Sequence, residues 1–201
     1  MWGEDEEKGK AILERLKDSV DKCAKYNIPV TIVHVSSGRP MVPISDAGIR
    51  RYSELFEYAK KKNVTVALEN LRYLENLKYF MDNFSEPGFC WDTGHENCYT
   101  KGVDYMKLFG KRTAALHVHD NRCGNDTDDH LLPFDGNIDF DAVARSLAES
   151  GYKGTLMLEV GKDVNCGEAY PYTDMTDEEY FLKAKAAAER IAAMVDSYSK
   201  K

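Results

Sequence analysis

The chain has 201 residues, 43% of them apolar, and a formal net charge of −7, which suits one core-forming domain over residues 1–201 and excludes phosphate-backbone binding as its main business, since that binding draws on Lys and Arg. No apolar run approaches the roughly 20 residues of a membrane span, and the start "MWGEDEEKGK" is too acidic and polar for a secretory signal. The five cysteines (Cys23, Cys90, Cys98, Cys123, Cys166) are odd in number and lack a C-x-x-C pair, so a cytoplasmic protein with free thiols is expected, without a disulfide framework, a thiolate zinc knuckle, a nucleic acid or a membrane.

From the amino end, residues 5–26 carry Ile12, Leu13, Leu16, Val20, Cys23 and Ala24 on one helical stripe. The run "PVTIVHVSSG" then reads as a strand that ends in a small-residue turn. A helix over about 46–62, opened by Asp46 as N-cap, leads to the strand "VTVALEN". A helix near 72–84 runs through "EPG" into the strand "FCWD", and one near 103–110 precedes "TAALHVHD". The helix near 139–150 stops at Gly151 before the strand "GTLMLEV". The closing helix, about 176–199, begins with Thr176 and Glu179 at capping-box spacing. Strands alternating with amphipathic helices imply parallel pairing through right-handed crossovers, hence an α/β fold of five strands and six helices.

In such folds the chemistry gathers where the strands end at their carboxyl side. The five strands end in His34, Glu69, Asp92, the pair His117 and His119, and Glu159; His95 follows Asp92, and His130 occupies the long loop before the 139–150 helix. None of the five histidines is expected in a helix. A strand buried on both faces accepts a carboxylate only when it is paired, because an isolated charge there costs several kcal/mol or is neutralised. Glu69 and Glu159 follow the apolar runs "TVAL" and "TLML", which carry no Lys or Arg. A divalent cation held by two glutamates, an aspartate and a histidine satisfies all of them together, and so oxygen-rich a set suits manganese, magnesium, cobalt or zinc.

The segments "VALEN", "WDTGH", "ALHVHD", "DDHLLPFDGNIDF" and "LMLEV", in that order between residues 30 and 160, resemble the xylose-isomerase-like barrel superfamily. That superfamily includes sugar and sugar-phosphate isomerases and epimerases, inosose dehydratases and apurinic endonucleases. The resemblance implies a TIM-barrel-type fold in which Glu69, Asp92, His117 and Glu159 bind one metal ion. It further implies that His95 and His130 contact substrate or, in the endonuclease branch, additional zinc. His34 resembles the histidine of an H-P-G-S strand end in that branch, with Val35 in place of the proline. For His119 a supporting role and a direct one both stand, and Arg122 reads either as a clamp on a substrate hydroxyl or phosphate or as a surface arginine. Members are closed eight-stranded barrels and "VTIVHVSSG" resembles their fourth strand, so a partial barrel of about five βα units is expected, its open side covered by further chain or by a second copy in a homo-oligomer.

The resulting expectation is a metal-dependent isomerase or epimerase of a small keto sugar, sugar phosphate or polyol. The ion would chelate a carbonyl and the adjacent hydroxyl and stabilise the enediolate, with Glu69 and Glu159 as the two acid/base groups. His95, His130, Arg122 and His34 are the expected substrate contacts. An inosose-type dehydratase shares the opening step, and an apurinic endonuclease-like nuclease would want three zinc ions and a basic groove. A truncated barrel without turnover is the reading from a different class.

Overall fold

Short apolar runs bounded by turns form the strands β1 (Val30–His34), β2 (Thr65–Glu69), β3 (Gly88–Asp92) and β4 (Thr113–His117), which pair in parallel in that spatial order. The structure, a computed structural model, describes residues 1–36, 38–123, 128–162 and 171–200. Register, more than strand count, decides which strand-end side chains meet. His34 lies opposite Glu69, Glu69 opposite Cys90, and Asp92 opposite His117. An irregularity between Phe89 and Cys90 gives β4 one extra residue there and brings Asp92 level with His117.

The segment "GTLMLEV" departs from the expected fifth strand. It meets the sheet through a single parallel bridge, Val118 with Leu158, made by Val118 N–H to Met157 O (2.9 Å) and Glu159 N–H to Val118 O (3.1 Å). Two residues further on, Asp120 pairs antiparallel with Leu131 instead. The chain beyond β4 is thus shared between two neighbours, and "GTLMLEV" has no sheet partner on its far side among the described residues.

The helices are α1 (Glu6–Lys25), α2 (Asp46–Lys61), α3 (Leu74–Asn83), α4 (Thr93–Tyr99), α5 (Tyr105–Phe109), α6 (Phe140–Ser150) and α7 (Asp177–Ser199), with a 3₁₀ turn at Gly110–Arg112. Asp5 caps α1 and Ser45 caps α2, one residue before the Asp46 expected. Thr176 and Glu179 form the capping box of α7. The short α4 is the element that periodicity does not reveal, since seven residues are too few to show a stripe. It starts because Asp92 ends β3 and at once accepts a bond from His95 N–H at 2.6 Å, an N-cap arrangement. His95 therefore lies in a helix, contrary to the expectation that no histidine does.

Helices α1 and α2 pack together on the outside, as do α6 and α7. Trp2, Tyr52, Phe56, Phe80 and Phe84 form a run of ring contacts between helices and sheet, and Trp2 Nε1 and the Tyr52 hydroxyl both donate to Val35 O. Leu131, Leu132, Tyr172, Tyr180 and Ala184 form a second core. Tyr172 accepts from Leu132 N–H, donates to Asp135 and packs its ring on Tyr180 of α7, which ties the loop around His130 to that helix. β1 pairs with β2 alone among the described residues, and an apolar hollow lined by Ile28, Val30, Ile32, Ala115, Tyr152 and Met157 opens beside it.

Cys23, Cys90, Cys98 and Cys123 take part in no disulfide among the described residues. Cys166 and the "GKDVN" turn from Asp163 onward lie outside the described residues. No described helix is long and apolar enough to cross a membrane.

Candidate metal centre

The strand register gathers one ligand atom each from Glu69, Asp92, His117 and Glu159 within 4.8 Å of one another. His117 Nδ1 stands 2.9 Å from Glu159 Oε2, 3.3 Å from Glu69 Oε1 and 3.9 Å from Asp92 Oδ2. Around this group, His34 Nε2 is 3.1 Å from Glu69 Oε2, and His95 Nδ1 is 3.1 Å from Glu69 Oε1. Asp92 and Glu69 are almost fully buried, while the Glu159 side chain is 41% exposed and faces the open side.

Close approach is not the same as satisfaction. Glu69 Oε1 and Oε2, Asp92 Oδ2, His117 Nδ1 and Glu159 Oε2 are sealed from solvent, and none has a hydrogen-bond partner. Native interiors rarely leave buried polar atoms unpaired, and here they belong to four side chains whose ligand atoms gather within 4.8 Å of one another. Ligands bound to one ion at roughly 2.0–2.2 Å stand about 3 to 3.5 Å apart, close to the separations seen. Chemistry and geometry both fit a divalent cation, held by three carboxylates and an imidazole.

The charges point the same way. Burial would raise Glu69, but His117, His34 and His95 beside it hold it well below the usual carboxylate range. Burial would lower the histidines, yet Asp128 and Glu69 push His95 up to about 11, and Glu159 and Glu69 push His117 up to about 10. Protons on the imidazoles supply the positive charge that the carboxylates demand.

The frame behind the ligands is built from asparagines and a glycine. Asn70, the residue after Glu69, donates to Asp92 O and accepts from Asp92 N–H, both at 2.8 Å, so it clasps the ends of β2 and β3 together. Its own carbonyl lies 3.0 Å from His95 Nδ1, so that nitrogen carries a proton, and Nε2 stands 3.0 Å from Asp128 Oδ2. His119 is fully buried with Nε2 3.2 Å from Asp92 Oδ1, and its ring stacks on His130 at 4.2 Å. Gly94 makes this possible, because a Cβ there would sit 1.9 Å from His119 Cε1.

Asp120, at the end of the same H-x-x-D segment, is spent on the loop. It accepts from Asn121 and Ile138 N–H on one oxygen and from Phe134 and Gly136 N–H on the other. That loop carries Asp128 and His130. His130 Nδ1 bonds Glu159 O at 2.8 Å, and its Nε2 is 3.4 Å from Asp128 Oδ2. Asn121 Nδ2 reaches both Gly94 O and Asp128 Oδ1.

Of the residues expected from sequence, Glu69, Asp92, His117 and Glu159 meet in one cluster, with His34 and His95 against it and His130 on its flank. Arg122 engages Asp129 through its Nε, Nη2 and backbone N–H. Asn70, Asn121, Gly94 and Cys90 escaped the sequence reading. Cys90 shares a possible ligand group with Glu69 and His117, and burial pushes its thiol far up. The one available signal was the position of Asn70, directly after the strand-end acid Glu69.

A parallel α/β barrel-type fold with ligand-grade side chains at the carboxyl ends of its strands defines the class. Within it, the chain belongs to the xylose isomerase-like TIM barrel family, which matches residues 1–191. It is 28% identical to the uncharacterized protein y4fM of Sinorhizobium fredii, across 92% of this chain and 61% of that one. It therefore spans less than two thirds of that relative's length. In fold it resembles the IOLI protein with a bound zinc atom (TM-score 0.77, 21% identity, 98% of this chain and 73% of the other). It likewise resembles a D-tagatose 3-epimerase-like protein (TM-score 0.73, 21% identity, the same coverage). Likeness at such identity speaks for the fold.

Proposed function

We propose that this chain carries the proton-transfer centre of a metal-dependent ketose isomerase or epimerase, acting on a small keto sugar, sugar phosphate or polyol. The observation that carries the reading is the gathering of Glu69, Asp92, His117 and Glu159, one ligand atom each within 4.8 Å, with sealed polar atoms that have no hydrogen-bond partner. Names among the structural neighbours, such as D-tagatose 3-epimerase-like protein and L-ribulose 3-epimerase, support the choice of chemistry. A bound divalent ion, whether manganese, magnesium, cobalt or zinc, supplies Lewis acidity that eases removal of a proton beside a carbonyl.

The protein's own side chains do the rest. Glu69 and Glu159 both stand beside His117 Nδ1, at 3.3 and 2.9 Å, and serve as the acid/base pair: one, as carboxylate, takes the proton from carbon, and the other, as carboxylic acid, delivers a proton to it. Their surroundings differ, since the Glu69 side chain is 1% exposed and Glu159 41%. A proton on Glu159 exchanges with water readily, whereas one on Glu69 is shielded. His34 holds the second Glu69 oxygen, and His95, with its protonated nitrogen fixed by Asn70, orients a substrate oxygen. A dehydratase shares this opening proton removal.

One observation favours a second reading. Asp128 Oδ2 lies between His95 Nε2 and His130 Nε2, a set that suits additional zinc in a nuclease-like centre, though the net charge of −7 offers little for a phosphate backbone. The test is proton exchange from solvent into keto sugars with added manganese, run beside Glu159→Ala, together with metal counting. Exchange that disappears in the variant supports the first reading. Exchange that survives it removes Glu159 from the mechanism, and three tightly held zinc ions per chain favour the second.

A further inference from the structure

Beyond the metal cluster, the carboxyl end of the barrel presents a cation without an anion among the described residues. Arg72 lies in the loop between β2 and α3, three residues after Glu69, and is half-buried. Its guanidinium carbon sits 4.0 Å from the centre of the Tyr99 ring. Tyr99 ends α4, one turn after His95 and on the same helix face, and the two rings are 5.4 Å apart. Arg72, Tyr99 and His95 thus form a stack that leads from the mouth of the site down to Glu69.

The chain holds 34 acidic residues against 27 Lys and Arg, and arginines with their charge near a surface usually find one. Arg50, Arg51, Arg122 and Arg145 each engage a carboxylate. Arg72 has no carboxylate partner among the described residues, and its Nε is sealed from solvent with no hydrogen-bond partner at all. A guanidinium resting over an aromatic ring, with no carboxylate on its N–H groups, can bind a planar or tetrahedral anion through paired N–H donors. Arg39, in the loop after β1, adds its positive field at the same tyrosine.

We infer that Arg72 and Tyr99 form an anion subsite, so that the substrate is a ketose carrying a phosphate or carboxylate at the end remote from its reacting carbons. This rests on the proposed function and narrows its substrate class. Arg72 is a specificity residue: it holds the far end of the substrate and takes no part in proton transfer. An arginine serving only to pin the β2–α3 loop onto α4 would stabilise the fold without distinguishing charged from neutral ligands.

The test is calorimetric binding of fructose, fructose 6-phosphate and fructuronate to the full chain, to Arg72→Met and to Arg72→Lys, each with manganese and after chelation, with thermal melting of each. The expected result is that one of the two anionic sugars binds at least tenfold more tightly than fructose. Arg72→Met should erase that advantage while leaving fructose binding and the melting temperature unchanged, and Arg72→Lys should retain part of it. The tighter of the two anions tells phosphate from carboxylate. Equal binding of all three sugars, or an advantage that survives Arg72→Met, overturns the inference and leaves the metal reading standing. An anion advantage that depends on Arg72 but not on manganese keeps the inference and sinks the metal reading. Absence of binding by every sugar sinks both.

Discussion

His117 Nδ1 and Glu159 Oε2 approach to 2.9 Å across the gap between the end of β4 and the "GTLMLEV" segment, with no hydrogen bond between them. At the proposed metal centre a proton and a metal ion would compete for that gap. His117 is pushed up to about 10 by Glu159 and Glu69 despite burial, so near neutral pH it carries a proton that ligation must expel. Metal binding is therefore expected to release at least one proton, and affinity to rise about tenfold per pH unit below that value. Calorimetry in buffers of different ionisation enthalpy reads the release directly. Binding without proton release would show that His117 is no ligand.

The metal-free protein should lose stability as pH rises into the alkaline range. His95 is raised from an ordinary 6.5 to about 11, so its contribution is complete below about 6.5 and is lost as pH climbs through about 11. Asp128, which His130 and His95 hold far below the usual carboxylate range against the pull of burial, acts in the opposite sense and loses its contribution in strong acid. Urea denaturation of chelator-treated protein across alkaline pH measures the first effect. His95→Gln should flatten that slope, and an unchanged slope would place the stabilising charge elsewhere.

Asp120 gathers four backbone N–H groups with two oxygens. Asp120→Ala leaves four backbone donors without this partner, that of Asn121 buried and those of Phe134, Gly136 and Ile138 part-buried, at about 1 to 3 kcal/mol for each that water does not reach. A loss on the order of 3 to 5 kcal/mol in unfolding free energy is expected, with Asp120→Asn milder because its amide still offers one acceptor oxygen. Denaturant titration decides, and a loss below about 1 kcal/mol would show that the 134–138 loop holds itself.

Gly94→Ala puts a methyl group 1.9 Å from His119 Cε1 and 2.5 Å from both ring nitrogens. Backbone strain is not the cause, since the residue sits in ordinary helix. The imidazole must move, and Asp92 loses the neighbour that faces its Oδ1. Disturbing an outer partner of a ligand typically costs 10- to 100-fold in metal affinity. A drop of that size in manganese affinity, with helical content unchanged by circular dichroism, is the expected outcome; unaltered affinity would mean that His119 does not orient Asp92.

The alternation of helix and strand was legible in residues such as Leu13, Leu16 and Val20, because a long helix repeats its buried stripe several times. So were the strand-end acids Glu69, Asp92 and Glu159, since a carboxylate closing an apolar run needs a partner. The short helix bearing His95 was hidden because Asp92 ends one element and caps the next, a double use that no period records. The reduced pairing of "GTLMLEV" was hidden as well, because an apolar run shows its hydrophobicity and not how many neighbours it meets. Asn70 and Asn121 act through backbone groups brought close by register, which only the folded chain displays.

The two bonds between Asn70 and Asp92 mean that the tips of adjacent strands are already locked at a fixed spacing by the polypeptide itself. An ion arriving at the proposed centre would meet strand tips already held together and would spend little on ordering them. Selectivity among ions should then follow size and preferred coordination more than a capacity of the protein to adapt, and exchanging one ion for another should leave the backbone almost where it was.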